Sequence, residues 1–433
     1  MLQYLFTKTP LFFLVQPFWR DEAFSYLLAK RSLVDILFIT ARDYNPPFYY
    51  LVLHFWMKVF GSSEVAIRML SFVFFLLAVF MIYIILENIL EFSERKSLFY
   101  ILLVIINPLL VYFAFEGRMY TMFAFFAVLS SYFFLKKNNR AYVIVTLLGF
   151  LTHYYMFFLL FAQGVHTLIF HRIKRWEALK PLFMTFLMMI PWILFVIREK
   201  DFSNSSFWIS RLQIQNIPEL IGRLYSGYEF GFSFFDAVIV LSYFLWIIVI
   251  FGILKFKKQG SKVKRVWWYL LLWGVITPLL IGIISLFQPI WFTRYLIFAN
   301  AGFLLLLVAF LDKLAMPVRV SIFILLFATT MNFHVHQINS RKKADLAKEI
   351  REIKKLAGPE DFFYVTSELD FFTAQYYFGE ENVRIYDKTY EEIPPFVGKV
   401  LIPKDKIVRI FPRFPRKAFV LSSDGSYEIK ASY

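Results

Sequence analysis

The chain has 433 residues, 59% of them hydrophobic, with 56 Phe, 25 Tyr and 10 Trp. A water-soluble core cannot hide that much apolar surface, so the composition excludes a string of soluble domains and points to a multi-span membrane protein. The net charge of +16 lies mainly between apolar runs, which fits membrane orientation rather than nucleic-acid binding, and the absence of Cys excludes disulfides, thiolate zinc sites and Cys nucleophiles.

Apolar runs able to cross a bilayer fall near 2–19, 64–87, 98–115, 119–136, 142–152, 154–170, 181–197, 233–254, 267–288, 295–311 and 318–335. The expected fold is therefore an α-helical polytopic membrane protein of about 11 spans. Lys8 and Pro10 interrupt the first run, and no small-residue cleavage site follows it, so no cleavable signal peptide is expected. The run 142–152 is short for ~30 Å of hydrocarbon and reads as a half-span.

Between the first two runs lies a loop, 20–63. It opens with Trp19-Arg20-Asp21-Glu22, and Phe24, Leu27, Leu28, Val34 and Phe38 then share an apolar face, as in a helix lying in the membrane interface. Asp43-Tyr44-Asn45-Pro46-Pro47 forms a stiff turn into a second interfacial stretch that ends near Gly61. The chain thus divides into a transmembrane domain, 1–335, and a tail, 336–433. In the tail, Ser340–Ala357 reads as an amphipathic helix ended by Gly358-Pro359. Short β-type runs follow at Phe362–Thr366, Val383–Tyr386, Lys399–Ile402 and Ala418–Leu421, with a helical stretch near Glu368–Phe378: a small α/β domain.

One set of alternate loops carries 17 basic residues, among them Arg95, Lys136, Lys137, Arg172, Lys262, Arg265 and Arg319, in about 45 positions. The positive-inside rule makes this set cytoplasmic. The other loops and the tail are then outside, placing the protein in the cytoplasmic membrane with an extracytoplasmic C-terminal domain.

The candidate chemistry gathers on that outer side. Glu116-Gly117-Arg118-Met119-Tyr120 breaks an apolar stretch, where a buried charge is costly unless it pairs or serves a function. It is either a self-neutralised turn or an anion site in which Glu116 orients Arg118. His153, with Tyr154, lies at the end of the short run, and Arg294 stands in Trp291-Phe292-Thr293-Arg294-Tyr295; each reads equally as an interface anchor. His334-x-His336 has metal-like spacing without a companion acid and reads as interface filler. Paired carboxylates supply a base and arginines grip phosphate, so acids plus arginines on one face point to group transfer from a lipid phosphate. Asp21 and Glu22 alternatively mark only the polar end of a span. No Gly-rich phosphate loop points to a nucleotide.

At these residues the chain resembles the GT-C fold glycosyltransferases that use polyprenyl-phosphate sugars. It is most similar to the bacterial and archaeal relatives of protein O-mannosyltransferases and lipid A aminoarabinose transferases. The resemblance rests on Asp21-Glu22, Asn45-Pro46-Pro47-Phe48-Tyr49-Tyr50, Glu116-Gly117-Arg118-Met119-Tyr120, His153-Tyr154-Tyr155 and Arg294-Tyr295 in order. It covers about 20–310. It implies a base role for Asp21, with Glu22 beside it, and substrate binding by Asp43, Asn45, Tyr49, Glu116, Arg118, Tyr120, His153, Tyr154 and Arg294. Some aminoarabinose-type relatives carry a Lys before the Pro-Pro pair, where this chain has Asn45, which shifts the lipid phosphate to Arg118 or Arg294. The implied reaction moves a sugar, with inversion, from a polyprenyl-phosphate donor to a hydroxyl of a protein, lipid or glycan acceptor. No cofactor is required by this reading, a divalent cation near Asp43 stays open, and no nucleic acid is expected as a partner. A lipid-linked sugar transporter or flippase, and a non-catalytic subunit of an envelope complex, are the readings from other classes.

Overall fold

In a computed structural model the described residues are 2–170, 175–200, 208–229, 235–256, 260–343, 346–422 and 425–433. The chain is mostly helical and falls into two compact units. Unit 1 comprises 1–14, 68–194 and 209–341; unit 2 comprises 15–67, 195–208 and 342–433.

Among the described residues six helices are long and apolar enough to cross a bilayer: Glu64–Asn88, Arg175–Glu199, Phe235–Lys255, Ser261–Ile284, Thr293–Leu311 and Met316–Ser340. A seventh arises if Glu94–Ile105 and Pro108–Ala114, bent by 68°, count as one. This is a multi-pass membrane protein. Among the described residues the shorter apolar helices are Tyr120–Lys136 and Asn139–Thr152, of 17 and 14 residues against about 20 for a typical crossing, and Met156–Phe170, which ends where the described residues end. The first run breaks into Leu2–Lys8 and Phe12–Val15 around Pro10, as its interruption foretold.

Local chemistry explains the breaks. Pro108 disfavours a helical Asn107, so the chain kinks there. The Asn107 side chain then caps the next helix, accepting from the Leu110 amide at 3.2 Å, and donates to the Tyr225 carbonyl at 3.1 Å. Thr293–Leu311 is the axis of unit 1: 89% of its apolar window is buried, against 22% for Arg175–Glu199, which leaves most of its surface to lipid. Close packing on that axis requires glycine. A Cβ on Gly302 would land in the Trp273 ring, and one on Gly274 would strike the Phe303 backbone. Next to this contact, Leu272–Ile276 widens into a π-turn, and the Thr277 hydroxyl accompanies it by donating to the Leu272 carbonyl at 2.7 Å. Polar side chains bind the remaining helices. Tyr142 donates to Gln163 at 2.7 Å, Gln163 to Tyr269 at 3.2 Å, and Tyr269 to Ser131 at 2.7 Å.

Unit 2 joins the first loop to the tail. The loop forms helices Arg20–Ala29, Leu33–Arg42 and Phe48–Phe60, the last closed by Gly61 at φ +83°. The expectation of one interfacial face needs correcting. Phe24, Leu27 and Leu28 are buried within unit 2, Phe24 against Phe372 with ring centroids 5.5 Å apart, while Val34 and Phe38 remain exposed. The two groups separate because the chain turns at Ser32, whose side chain accepts from the Asp35 amide and starts a new helix.

The tail carries a small sheet with helices, grouped in unit 2 with the first loop. Its five-stranded sheet has the order β3-β2-β1-β4-β5, with β1 (Phe362–Val365), β2 (Val383–Tyr386), β3 (Ile407–Val408) and β4 (Ala418–Leu421) parallel, and β5 (Tyr427–Lys430) antiparallel to β4. Helix Phe371–Tyr377 connects β1 to β2. The expected strand at Lys399–Ile402 is instead a 3₁₀ turn, since Gly398 at φ +87° and Pro403 bracket it and prevent an extended run. The expected helix Ser340–Ala357 divides. Met316–Ser340 runs on to Ser340, and a separate helix spans Leu346–Leu356.

Candidate active site

In unit 2, helix Arg20–Ala29 begins at Trp19, whose extended backbone turns the chain, and Asp21 and Glu22 occupy its first turn, where the helix dipole favours negative charge. Their environments differ. Asp21 is part-exposed, and Arg20 Nε donates to its Oδ1 at 3.0 Å. Glu22 is fully buried, and Lys343 Nζ donates to its Oε2 at 2.6 Å. The Lys343 amide also donates to Gln16 Oε1 at 2.7 Å, so the start of the tail is tied at two points to the chain around Glu22.

The second acidic turn lies in the same unit. Asn45 Nδ2 donates to Asp43 Oδ2 at 3.1 Å, Pro46-Pro47 leads into the helix, and Tyr49 is buried at its first turn. Lys200 Nζ donates to the Asp43 carbonyl at 2.9 Å and stands 3.5 Å from the centre of the Tyr44 ring. Burial lowers the Lys200 pKa from its ordinary value, opposed by the Asp43 charge. A cation thus reaches the turn where the sequence has Asn45 in place of Lys. Among the described residues no three His, Asp or Glu side chains group as a metal site.

In unit 1 the other candidates converge on helix breaks. The 116–119 turn is held by the Arg118 amide donating to the Glu116 carbonyl at 2.7 Å and by Ser71 Oγ donating to the Arg118 carbonyl at 3.1 Å. Both Glu116 and Arg118 are buried. His153 caps Asn139–Thr152, and its Nδ1 accepts the Tyr155 amide at 3.2 Å, so a neutral ring carries its proton on Nε2. The His153 ring stacks on Phe123 at 4.7 Å and lies 5.1 Å from Tyr295 and 6.2 Å from Tyr120. Tyr154 accepts from Trp192 Nε1 at 3.2 Å. Arg294 makes a fork onto Glu229, Nε to Oε1 at 2.9 Å and Nη2 to Oε2 at 2.7 Å, with its guanidinium 6.0 Å from the Tyr120 ring. Tyr120 is therefore the common neighbour of His153 and Arg294.

Unit 1 thus brings Glu116, Arg118, Tyr120, His153, Tyr154 and Arg294 to neighbouring breaks. Unit 2 brings Asp21 and Glu22 to one helix start and Asp43, Asn45 and Tyr49 to one turn. Sequence reasoning missed Glu229, Lys200 and Lys343. Each is a charged residue in a long loop or at the start of the tail, and its partner is distant in sequence, so only charge counting could have hinted at it. His334 lies outside these groups, its Nε2 2.7 Å from the Ile106 carbonyl.

A profile of the family described as dolichyl-phosphate-mannose-protein mannosyltransferase matches residues 44–197. A sequence comparison with curated proteins returns no match. Among solved structures, ArnT from Cupriavidus metallidurans in the apo state superposes with a TM-score of 0.66 at 13% identity, covering 93% of this chain and 88% of that one. The same protein bound to undecaprenyl phosphate gives 0.62 at 14% identity, with the same coverage. At such identity the likeness speaks for the fold. The family match covers 44–197, and the fold shared with ArnT extends over 93% of the chain.

Proposed function

We propose that this protein is a membrane glycosyltransferase that moves a sugar from a polyprenyl-phosphate carrier to an acceptor hydroxyl, with inversion, at the outer face of the cytoplasmic membrane. The observation that carries the reading is the set of buried Glu116 and Arg118 and part-buried Arg294 at helix breaks among tyrosines, in a chain sharing the fold of ArnT, a protein solved with undecaprenyl phosphate. Charges within apolar sequence at such depth are expensive and mark sites for charged substrates.

In this proposal Asp21 takes the acceptor proton. The freed oxygen forms a bond to the anomeric carbon, the bond from that carbon to the phosphate oxygen breaks, and the lipid phosphate leaves with the electron pair. One displacement inverts the centre, and no covalent sugar–enzyme intermediate is needed. Asp21 suits the base role better than Glu22, because the Glu22 carboxylate is fully buried on Lys343. Arg118 or Arg294 receives the phosphate, Arg294 being held in a fork by Glu229. No step passes through a metal.

The test is release of free polyprenyl phosphate from radiolabelled polyprenyl-phosphate mannose, glucose and arabinose, with an envelope extract as acceptor. Turnover by the native protein that is lost in a folded Asp21→Asn variant is the expected result. Equal turnover by both removes Asp21 as base, and failure to bind any carrier lipid overturns the class.

A further inference from the structure

The end of unit 1 that carries the basic loops contains a cavity of about 640 Å³. Four cations line it: Lys136 and Lys137 from the end of Tyr120–Lys136, and Lys262 and Arg265 from the first turn of Ser261–Ile284. Among the described residues that line it, Glu177 is the only carboxylate. Lys136 donates to the Asn88 carbonyl and Lys262 is paired with Glu91, whereas among the described residues neither Lys137 nor Arg265 has a carboxylate partner. The inner wall is of another kind. Phe134, Leu135 and Leu182 give it apolar surface, and buried Tyr142 and His166 form its polar floor.

That floor is built, not accidental. Tyr142 belongs to the hydroxyl–amide network that binds four helices through Gln163, and His166 Nε2 lies 3.0 Å from the Arg265 carbonyl, fixing the turn that presents the guanidinium. Lys137 adopts a left-handed conformation, φ +58°, which ends its helix at the cavity mouth. Helix starts at Asn139 and Ser261 open on the same space and add positive potential.

We propose that this cavity binds an anionic phospholipid, with its headgroup phosphate on Lys137 and Arg265 and an acyl chain against Phe134, Leu135 and Leu182. With Lys262 held by Glu91 and Lys136 on the Asn88 carbonyl, Lys137 and Arg265 are the cations left to face a phosphodiester, and the adjoining apolar wall distinguishes a lipid from a free anion. Basic clefts between transmembrane helices on the positively charged side recognise anionic headgroups in this way. The inference does not depend on the glycosyltransferase reading.

The experiment uses the full-length protein, purified and delipidated in detergent. Binding of phosphatidylglycerol, phosphatidylcholine and inorganic phosphate is read by native mass spectrometry and by the thermal midpoint. Phosphatidylglycerol should bind and raise the midpoint, phosphatidylcholine should do neither, and Lys137→Gln/Arg265→Gln should weaken phosphatidylglycerol about tenfold or more. Arg265→Lys should retain most of the binding. Arg95→Gln, which removes a charge from the same set of loops outside the cavity, should leave binding intact. Equal binding of both lipids, unchanged binding in the double variant, an equal loss in Arg95→Gln, or full reproduction of the midpoint rise by inorganic phosphate would each overturn the proposal.

Discussion

Breaking the ion pair between Glu22 and Lys343 should unfold unit 2 more readily than almost any other single polar change in it. The two groups are 2.6 Å apart, with side-chain exposures of 0% and 9%. At an effective dielectric of about 20 their attraction is roughly 6 kcal/mol, and desolvation of two ions opposes it by a similar amount. The net worth of the intact pair is thus small. Removing one partner is different, because it strips a buried charge of this counter-ion, at a cost of about 3–5 kcal/mol. Lys343→Met and Glu22→Gln should therefore each lower the thermal midpoint of the detergent-purified protein by several degrees. The double variant should lie well above the sum of the two losses, with a coupling of about 2 kcal/mol. A midpoint for Lys343→Met equal to that of the native protein, or strictly additive losses, would refute the claim that this pair fastens the tail to the helix start. The same cycle separates structure from catalysis: turnover recovered in the double variant assigns Glu22 to the scaffold.

Further outcomes can be checked on the same material. Gly302→Ala forces a methyl into Trp273 and should lower the midpoint, at about 1–3 kcal/mol or more, whereas an unchanged midpoint would mean the helices can separate freely. Burial, then the charge of Glu368, raises the Asp370 pKa. A carboxyl raised on folding costs stability once ionised, so Asp370→Asn should stabilise at neutral pH, and its advantage should fade as pH falls through that raised pKa; a constant advantage at all pH values would contradict this. Lys30 is raised instead, first by its hydrogen bond to Glu380. Its contribution is complete below the usual lysine range and is lost as pH rises through the raised value, so Lys30→Gln should flatten the alkaline limb of the midpoint–pH curve. Because the chain has no Cys, single-Cys probes report sidedness cleanly: Asn139→Cys should react with an impermeant maleimide only after permeabilisation, and Tyr376→Cys in intact cells.

What the sequence made legible follows from the range of the forces involved. Hydropathy is local, so Glu64–Asn88, Phe235–Lys255 and Met316–Ser340 could be read directly. Breaks were legible where a residue forces them, as at Pro10 and at the Glu116–Tyr120 turn. Edge strand β5 escaped notice because its four residues are all exposed and show no alternation of buried and exposed positions. The site was half legible. Arg118, His153 and Arg294 declare themselves as polar groups within apolar sequence. Their long-range partners do not: 65 residues separate Glu229 from Arg294, and 321 separate Lys343 from Glu22.

The union of Phe24 with Phe372, and of the Phe18 amide with the Tyr377 hydroxyl at 2.8 Å, has a consequence during synthesis. The first loop leaves the ribosome with an apolar face whose cover lies some 350 residues further along the chain. At about 5–20 residues per second, that face waits roughly 20–70 s for its complement. It must be sheltered in the meantime by the translocation machinery, by the bilayer surface or by a chaperone. A prematurely terminated chain would keep its early helices and lose Phe372 and Tyr377, which pack on them, so truncation products of this protein should be cleared as misfolded rather than persist.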